Sequence, residues 1–342
     1  MVSRAGSLPR YMLQRLLLVI PMLFILLTLV FLIMRVAPGD PVSATVGGQL
    51  REEELERRRA ALGFDRPLIV QYLDYLGDVA RLDFGTTITD DQPIMNIVKE
   101  NGGATLTLTV AAFAVALFLG VVFGLIAGRF RDSAGDVVIR LLGIATYAAP
   151  VFYTGILVKM LFAGNLGWLP PNRATSGFTE SDVDEHTHIL LVDALWQGET
   201  EAVVDILEHL VLPAATLGIF ICGIFVRLIR VNVLQTLQAD YVEAARARGV
   251  RESKVMRSHA FRNALVPVVT IIGLQVALLL SGAVLTERTF EWPGIGSELV
   301  RYITLRDYTA VQGIITMFAV VVVVISILVD IVIAIIDPRV RY

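Results

Sequence analysis

The chain has 342 residues, 55% hydrophobic and only 18% charged, with a formal net charge of −3 and a mean hydropathy of +0.69. A soluble domain carries roughly 45–50% apolar and about 25% charged residues, so a typical soluble enzyme, a disordered chain and a collagen-like fibre are excluded. A single cysteine excludes a disulfide framework or CxxC metal site, the near-neutral charge leaves no nucleic-acid footprint, and a multi-span membrane protein remains.

Leu16–Met34 runs 19 residues without a charge, close to the ~20 that a helix needs to cross a bilayer core. A signal-peptide apolar region is roughly 7–15 residues, so this segment reads as an uncleaved first span. Arg35–Gly103 follows as a small external subdomain. In it, Glu52–Leu62 has the charge density of a solvated helix with Leu55 and Leu62 on one face, and Leu68–Ala80 is a second amphipathic helix with Tyr72, Leu73 and Leu76. Gly39-Asp40-Pro41 and Phe84-Gly85-Thr86 read as turns.

Ala104–Gly128 is the second span, and Gly120, Gly124 and Gly128 repeat every four residues along it. That spacing lets helix backbones approach closely in lipid. Leu141–Val158, extended towards Phe162, is the third span, with Pro150 placed to kink or start a helix. Ala163–His209 carries nine acids and one Arg, and reads as a hydrated acidic loop, tolerant of change at Thr175–Asp184. His186 and His188 stand there among Asp182, Asp184 and Glu185. Histidine with carboxylate can hold a divalent metal, but a short tract of this kind is only a compositional hint, and no metal ligand is assigned. Leu210–Val226 is the fourth and shortest span, in which Cys222 is a packing residue. Ala264–Leu285, carrying Gln275, is the fifth and Thr309–Val329 the sixth, followed by Asp330 and apolar Ile331–Ile336. No other span interior offers a carboxylate, which argues against a proton-driven transporter.

The expectation is an all-α integral membrane protein of six helices. Residues 1–35 form the N-terminus and first helix, and 36–103 the external subdomain. The span domain covers 104–336, with helices near 104–128, 138–162, 210–231, 264–286 and 309–336. A loop at 232–263 and a tail at 337–342 complete the chain. With the N-terminus inside, the inner segments hold 16 basic and 6 acidic residues, and the outer ones 12 basic and 25 acidic. The positive-inside rule then puts both termini in the cytoplasm.

The loop before the fifth span reads Asp240-Tyr241-Val242-Glu243-Ala244-Ala245-Arg246-Ala247-Arg248-Gly249-Val250. Ala239–Arg248 is built of good helix formers, and Gly249 can end the helix at positive φ. Arg251–Phe261 can form a second helix. Small Ala244 and Ala245 leave room for another protein, although a loop that only sets topology would also be basic.

These residues resemble a known family. Glu-Ala-Ala, three residues, then Gly is similar to the EAA signature of bacterial ABC importer permeases. His259-Ala260-Phe261-Arg262-Asn263-Ala264-Leu265-Val266-Pro267 resembles its form in dipeptide, oligopeptide and nickel importers. Val36–Pro41, Leu62–Leu68 with Gln71-Tyr72, Phe290–Gly296, Arg306-Asp307-Tyr308 and Asp337–Tyr342 are similar to further segments of the B-type permease subunit. The match weakens over roughly 172–205. The resemblance implies the type I ABC importer transmembrane fold. It implies that Glu243, Ala244, Ala245 and Gly249 form the helix that couples to a cytoplasmic ATPase. His259, Arg262, Asn263 and Pro267 would fix the second helix and the start of the fifth span. Implied partners are a homologous C-type permease, two ABC ATPases, an external solute-binding protein and membrane lipid.

The chain has no GxxxxGK[ST] phosphate loop. It is therefore expected to be no enzyme and to hold no cofactor, with ATP and Mg on the partner ATPases. The expected location is the prokaryotic inner membrane. The function that the resemblance implies is that of a permease subunit of an ATP-driven importer of di- or oligopeptides, with nickel chelates, glutathione, sugars or another small solute as alternative substrates of the same transporter type. A membrane scaffold or secondary transporter is the alternative of a different class, but a scaffold leaves the EAA segment without purpose, and no inverted repeat is evident.

Overall fold

The computed structural model describes residues 8–36, 51–61, 63–176, 183–256 and 266–336. Among them the regular structure is helical, with one isolated bridge between Thr86 and Pro93. The chain divides into two compact units, one comprising Met1–Gly103, Pro293–Ala334 and Pro338–Tyr342, the other Ala104–Trp292 and Ile335–Asp337.

In the first unit, α1 (Leu8–Val36) is the first apolar helix, and it continues through Pro21. Helices α2 (Glu52–Ala61) and α3 (Leu68–Ala80) fall where charge density and amphipathicity place them. The inward face of α3 is Tyr72, Tyr75, Leu76 and Val79 rather than the expected Leu73, which is exposed. A helix repeats every 3.6 residues, and Tyr72, Tyr75/Leu76 and Val79 hold that period while Leu73 falls off it. Tyr72 bonds Thr28 of α1 (2.5 Å) and Tyr75 bonds Thr316 (2.6 Å). The Gln71 amide donates to the carbonyls of Phe64 and Arg66 and accepts from Arg35 Nε at 2.9 Å. Phe64, Arg66 and Gln71, family-like in sequence, therefore act with Arg35 as one staple.

Between the expected fifth and sixth spans lies a further helix, α11 (Ile295–Thr304), preceding α12 (Tyr308–Ile336). Asp307 caps α12 by accepting from the Ala310 amide at 2.9 Å. Its other oxygen accepts from the Ile88 and Thr89 amides at 2.7 and 2.9 Å. One buried carboxylate thus ends one loop and starts the last helix.

The second unit is built on α8 (Thr200–Leu237). The sequence places the fourth span at 210–231, but the helix begins ten residues earlier and ends at Leu237. It passes Arg227 and Arg230 because Arg230 has a buried partner, described below. Helix α4 (Ile94–Arg129) likewise starts ahead of the expected Ala104, and its segment from Ala104 onward belongs to this unit. The glycine stripe marks its contact with α8. A Cβ on Gly124 would lie 2.8 Å from Ile229 Cβ, and one on Gly128 2.8 Å from Val233 Cγ1; one on Gly120 would collide with Phe225.

The third span is not one helix. Helix α5 (Ala134–Ala148) stops before Pro150, and α6 (Val151–Lys159) continues as a π-helical turn, Met160–Asn165. The two halves are bent by 105°. Proline removes a helix donor and disfavours helical backbone at the residue before it, and Ala149 sits at φ −79°, ψ 135°.

The expected hydrated loop Ala163–His209 also carries structure, α7 (Leu190–Gln197) and the start of α8. Val183, Ala194, Ala202 and Ile206 form a small core, and Thr175 is buried. Within the stretch expected to tolerate change, Thr175 and Val183 are thus buried rather than hydrated. Helix α10 (Val266–Phe290) fills the place of the fifth span. Four helices among the described residues are long and apolar enough to cross a membrane, and the bent pair makes a fifth if counted as one span. The one expected span left over, the fifth, falls on the 25-residue α10.

Candidate functional site

The EAA segment is helix α9 (Asp240–Ala247), two residues beyond the end of α8. Asp240 and Glu243 occupy its first turn, where negative charge is favoured by the helix dipole. An eight-residue helix is not stable alone in water, so its order rests on what it packs against. Val242 and Ala245 are fully buried with Val255, and Leu237 and Val250 pack on them. Ala245 is thus covered by its own chain, while Glu243, Ala244 and Ala247 are exposed. Of the two alanines expected to leave room for a partner, only Ala244 does so.

The helix ends as the sequence predicts. Gly249 has φ +73°. The Gly249 amide donates to Arg246 O at 2.9 Å and the Val250 amide to Ala245 O at 3.2 Å. This pair of bonds, with Val250 folded onto the buried face, is a Schellman cap. A second lock crosses the turn. Arg246 grips Glu252 in a two-pronged pair, Nη2 to Oε1 at 2.7 Å and Nε to Oε2 at 3.1 Å, and Nη1 reaches Leu237 O at 3.4 Å. The Arg246 guanidinium holds the Glu252 carboxyl below the usual carboxylate range. Arg246 and Glu252 had no sequence signal, since six residues across a turn match no helical spacing. The exposed Arg248, Arg251 and Lys254 give this end its basic surface.

His259, Arg262 and Asn263 lie outside the described residues, as do the turn at Gly39–Pro41 and the tail at 337–342. Pro267 falls in the first turn of α10.

The helix that carries α9 is itself anchored. Asp136 in the first turn of α5 is buried, and Arg230 of α8 donates to both its oxygens at 2.7 Å. The Asp132 amide adds a bond at 3.0 Å and Arg140 stands 3.5 Å away. Charge pairing of this kind fixes α5 to the α8 segment that leads into α9.

In the acidic loop, the Asp193 carboxylate ties down the backbone at His186 and Thr187. It accepts from the His186 amide (3.2 Å) and from the Thr187 amide and hydroxyl (3.0 and 2.9 Å). Burial pushes the Asp193 carboxyl up, but these bonds outweigh it and hold its pKa below the ordinary value. His186 Nδ1 is paired with Asp184 O at 3.0 Å, and His188 Nδ1 lies 3.6 Å from Glu185. No three His, Cys, Asp or Glu converge among the described residues, and Asp182 is outside them. Cys222 is buried in the core of the second unit.

The chain is similar to known transport proteins over nearly its whole length. Residues 120–342 match the family described as binding-protein-dependent transport system inner membrane component, and residues 8–119 match the N-terminal region of such membrane components. The di/tripeptide transport system permease protein DppB of Pseudomonas aeruginosa is 39% identical over 336 residues, covering 96% of this chain and 98% of that one. The dipeptide transport system permease protein DppB of Alkalihalophilus pseudofirmus is 33% identical over 332 residues, covering 97% and 99%. The glutathione transport system permease protein GsiC of Pectobacterium atrosepticum is also 33% identical, with the same coverage. With both regions matched end to end and apolar helices long enough to cross a membrane, this chain is a multi-pass membrane protein and belongs to the binding-protein-dependent transport system inner membrane components, as a B-type permease of the peptide ABC importer family.

Proposed function

We propose that this permease moves di- or oligopeptides delivered by an external solute-binding protein, forming half of the path with a homologous C-type permease. Two ABC ATPases bind ATP and Mg and dock on the segment around α9. The observation that carries the coupling role is the exposed Glu243–Ala244 face of a helix capped at Gly249 and joined to the end of a 38-residue helix. A rigid short helix on a long lever can pass a push from an ATPase into the spans. His259, Arg262, Asn263 and Pro267 are assigned by resemblance to the second half of that element. Both termini are cytoplasmic in this reading, on the basic side of the chain.

The test is to assemble the chain with a second permease and two ATPases in proteoliposomes and measure peptide uptake on addition of binding protein and ATP. Uptake that needs all components supports the reading, and uptake without the ATPases refutes it. Glutathione is the second substrate reading, because a relative named for glutathione transport covers the same span of this chain at 33% identity. Competition between labelled dipeptide and glutathione separates the two.

A further inference from the structure

Between α5 and α8 lies a groove of about 570 Å³, lined by Gly143, Ile144, Tyr147, Ala148, Ile224 and Val231, with Arg140, Arg227 and Arg230 at one end. We propose that it binds an anionic phospholipid, with the phosphate at Arg140 and Arg227 and an acyl chain along the groove. The inference rests on the permease reading only for which leaflet this end faces.

Three observations carry it. The first is the shape of the floor. Gly143 and Gly223 bring the two helices into backbone contact, a Cβ on Gly143 lying 3.5 Å from Gly223 Cα. The walls then rise from Ile144 and Ile224, and Tyr147 stacks on Phe220 with ring centroids 6.1 Å apart. From Arg140 to Tyr147 the groove follows about 10 Å of helix, and apart from its arginines it is lined by apolar and aromatic side chains.

The second is the charge at its end. Asp136 is taken by Arg230 at 2.7 Å on both oxygens, which leaves Arg140 only a looser 3.5 Å approach to the same carboxylate. Arg227 makes no ion pair with a described residue, and both Arg140 and Arg227 are exposed. Asp132, also near Arg230, is paired with Arg131 at 3.0 Å, so four guanidinium groups against two carboxylates leave a net positive end that a phosphate complements.

The third is depth. Arg227 and Arg230 lie on the half of α8 that leads into α9, and Arg140 lies one turn beyond Asp136 in the first half of α5. In the permease reading that end is cytoplasmic, where basic pockets between helices meet anionic headgroups. A second permease could also cover an apolar groove, but it would bring a protein surface rather than a phosphate to the arginines.

The experiment uses the assembled transporter, delipidated and returned to phosphatidylglycerol or phosphatidylcholine of the same chain length, with retained lipid counted by native mass spectrometry. Wild type should retain phosphatidylglycerol in preference. Each cation near an anionic surface contributes roughly a factor of five, so Arg140→Gln with Arg227→Gln should weaken retention by roughly 25-fold. Inorganic phosphate should not displace the lipid, because it leaves the groove unfilled. A photo-crosslinker at Ile144 should label lipid. Equal retention of the two lipids, no change in the double variant, or crosslinking of Ile144 to the second permease would each overturn the proposal. Co-purification of the ATPases is scored in the same preparations, so a failed lipid site is distinguishable from a failed permease reading.

Discussion

Replacing Gly249 tests whether the cap on α9 matters to coupling or only marks the end of a loop. Nothing lies within 4 Å of a Cβ built there, and the residue has φ +73°. A substitution therefore adds no clash, and its cost is that of left-handed backbone, roughly 1–2 kcal/mol for an ordinary L-residue. A β-branched residue is a stronger outlier in that region, whereas Asn tolerates it. The predicted order of function is Gly, then Asn, then Ala, then Val.

A loss of 1–2 kcal/mol lowers the population of the capped helix by about 5–30-fold when it is marginal. It reaches beyond the cap, because Val250 leaves the cluster around Val242, Ala245 and Val255. The assay is ATPase content of the purified complex and peptide uptake in proteoliposomes, with binding-protein affinity as the control that should not move. Full ATPase content and full coupled uptake in Gly249→Val would refute the assignment. So would an Asn variant no better than Val, since the argument rests on backbone angle alone.

Three further outcomes are expected. Gly124→Val should destabilise the complex in detergent by roughly 1–3 kcal/mol or more, because Ile229 Cβ and the Val226 carbonyl stand 2.8 and 3.0 Å from the new Cβ. Gly77→Ala in α3, with nothing within 4 Å, should instead gain up to about 1 kcal/mol, and equal melting shifts for the two would contradict the packing argument. Asp136→Ala leaves the partly buried Arg230 guanidinium without its main partner and should cost up to roughly 3 kcal/mol, most of it recovered in the double variant with Arg230→Met; an unshifted melting temperature in the single variant would remove the anchor. Asp193 should give the acidic loop an acid-sensitive order. Its folded pKa is depressed, so its contribution is fully present above the ordinary carboxylate range and is lost as pH falls through the lower folded value. Limited proteolysis at 183–199 should accelerate only at such acid pH, and Asp193→Asn should cleave faster at neutral pH; a loop that loosens between pH 6 and 8 would speak against this.

Much of this protein is written locally. A bilayer core demands about 20 apolar residues, and that requirement is met or failed within one stretch of chain, so the four long apolar helices are legible without any knowledge of their neighbours. The same holds for α3 and for the end of α9, where one glycine and one period of 3.6 suffice. Pro150 marks a break in the same way, and Gly120, Gly124 and Gly128 announce a close approach.

What they approach is a tertiary fact. Phe225, Ile229 and Val233 share the period of the stripe, but nothing in either segment names the other. Asp136 and Arg230 are 94 residues apart, and each alone reads as a basic or acidic residue at a membrane boundary. The pair exists because α5 and α8 meet, and it lets α8 continue through two arginines that end an apolar run. Ala245, small and open by sequence, is closed by Val255, because the chain turns back at Gly249. The acidic segment looked hydrated by composition, yet Val183, Ala194, Ala202 and Ile206 are spread too thinly along it to show a period, and only folding gathers them. Composition and period report what one helix needs from its solvent, whereas burial of a charge or a small side chain depends on a partner elsewhere in the chain.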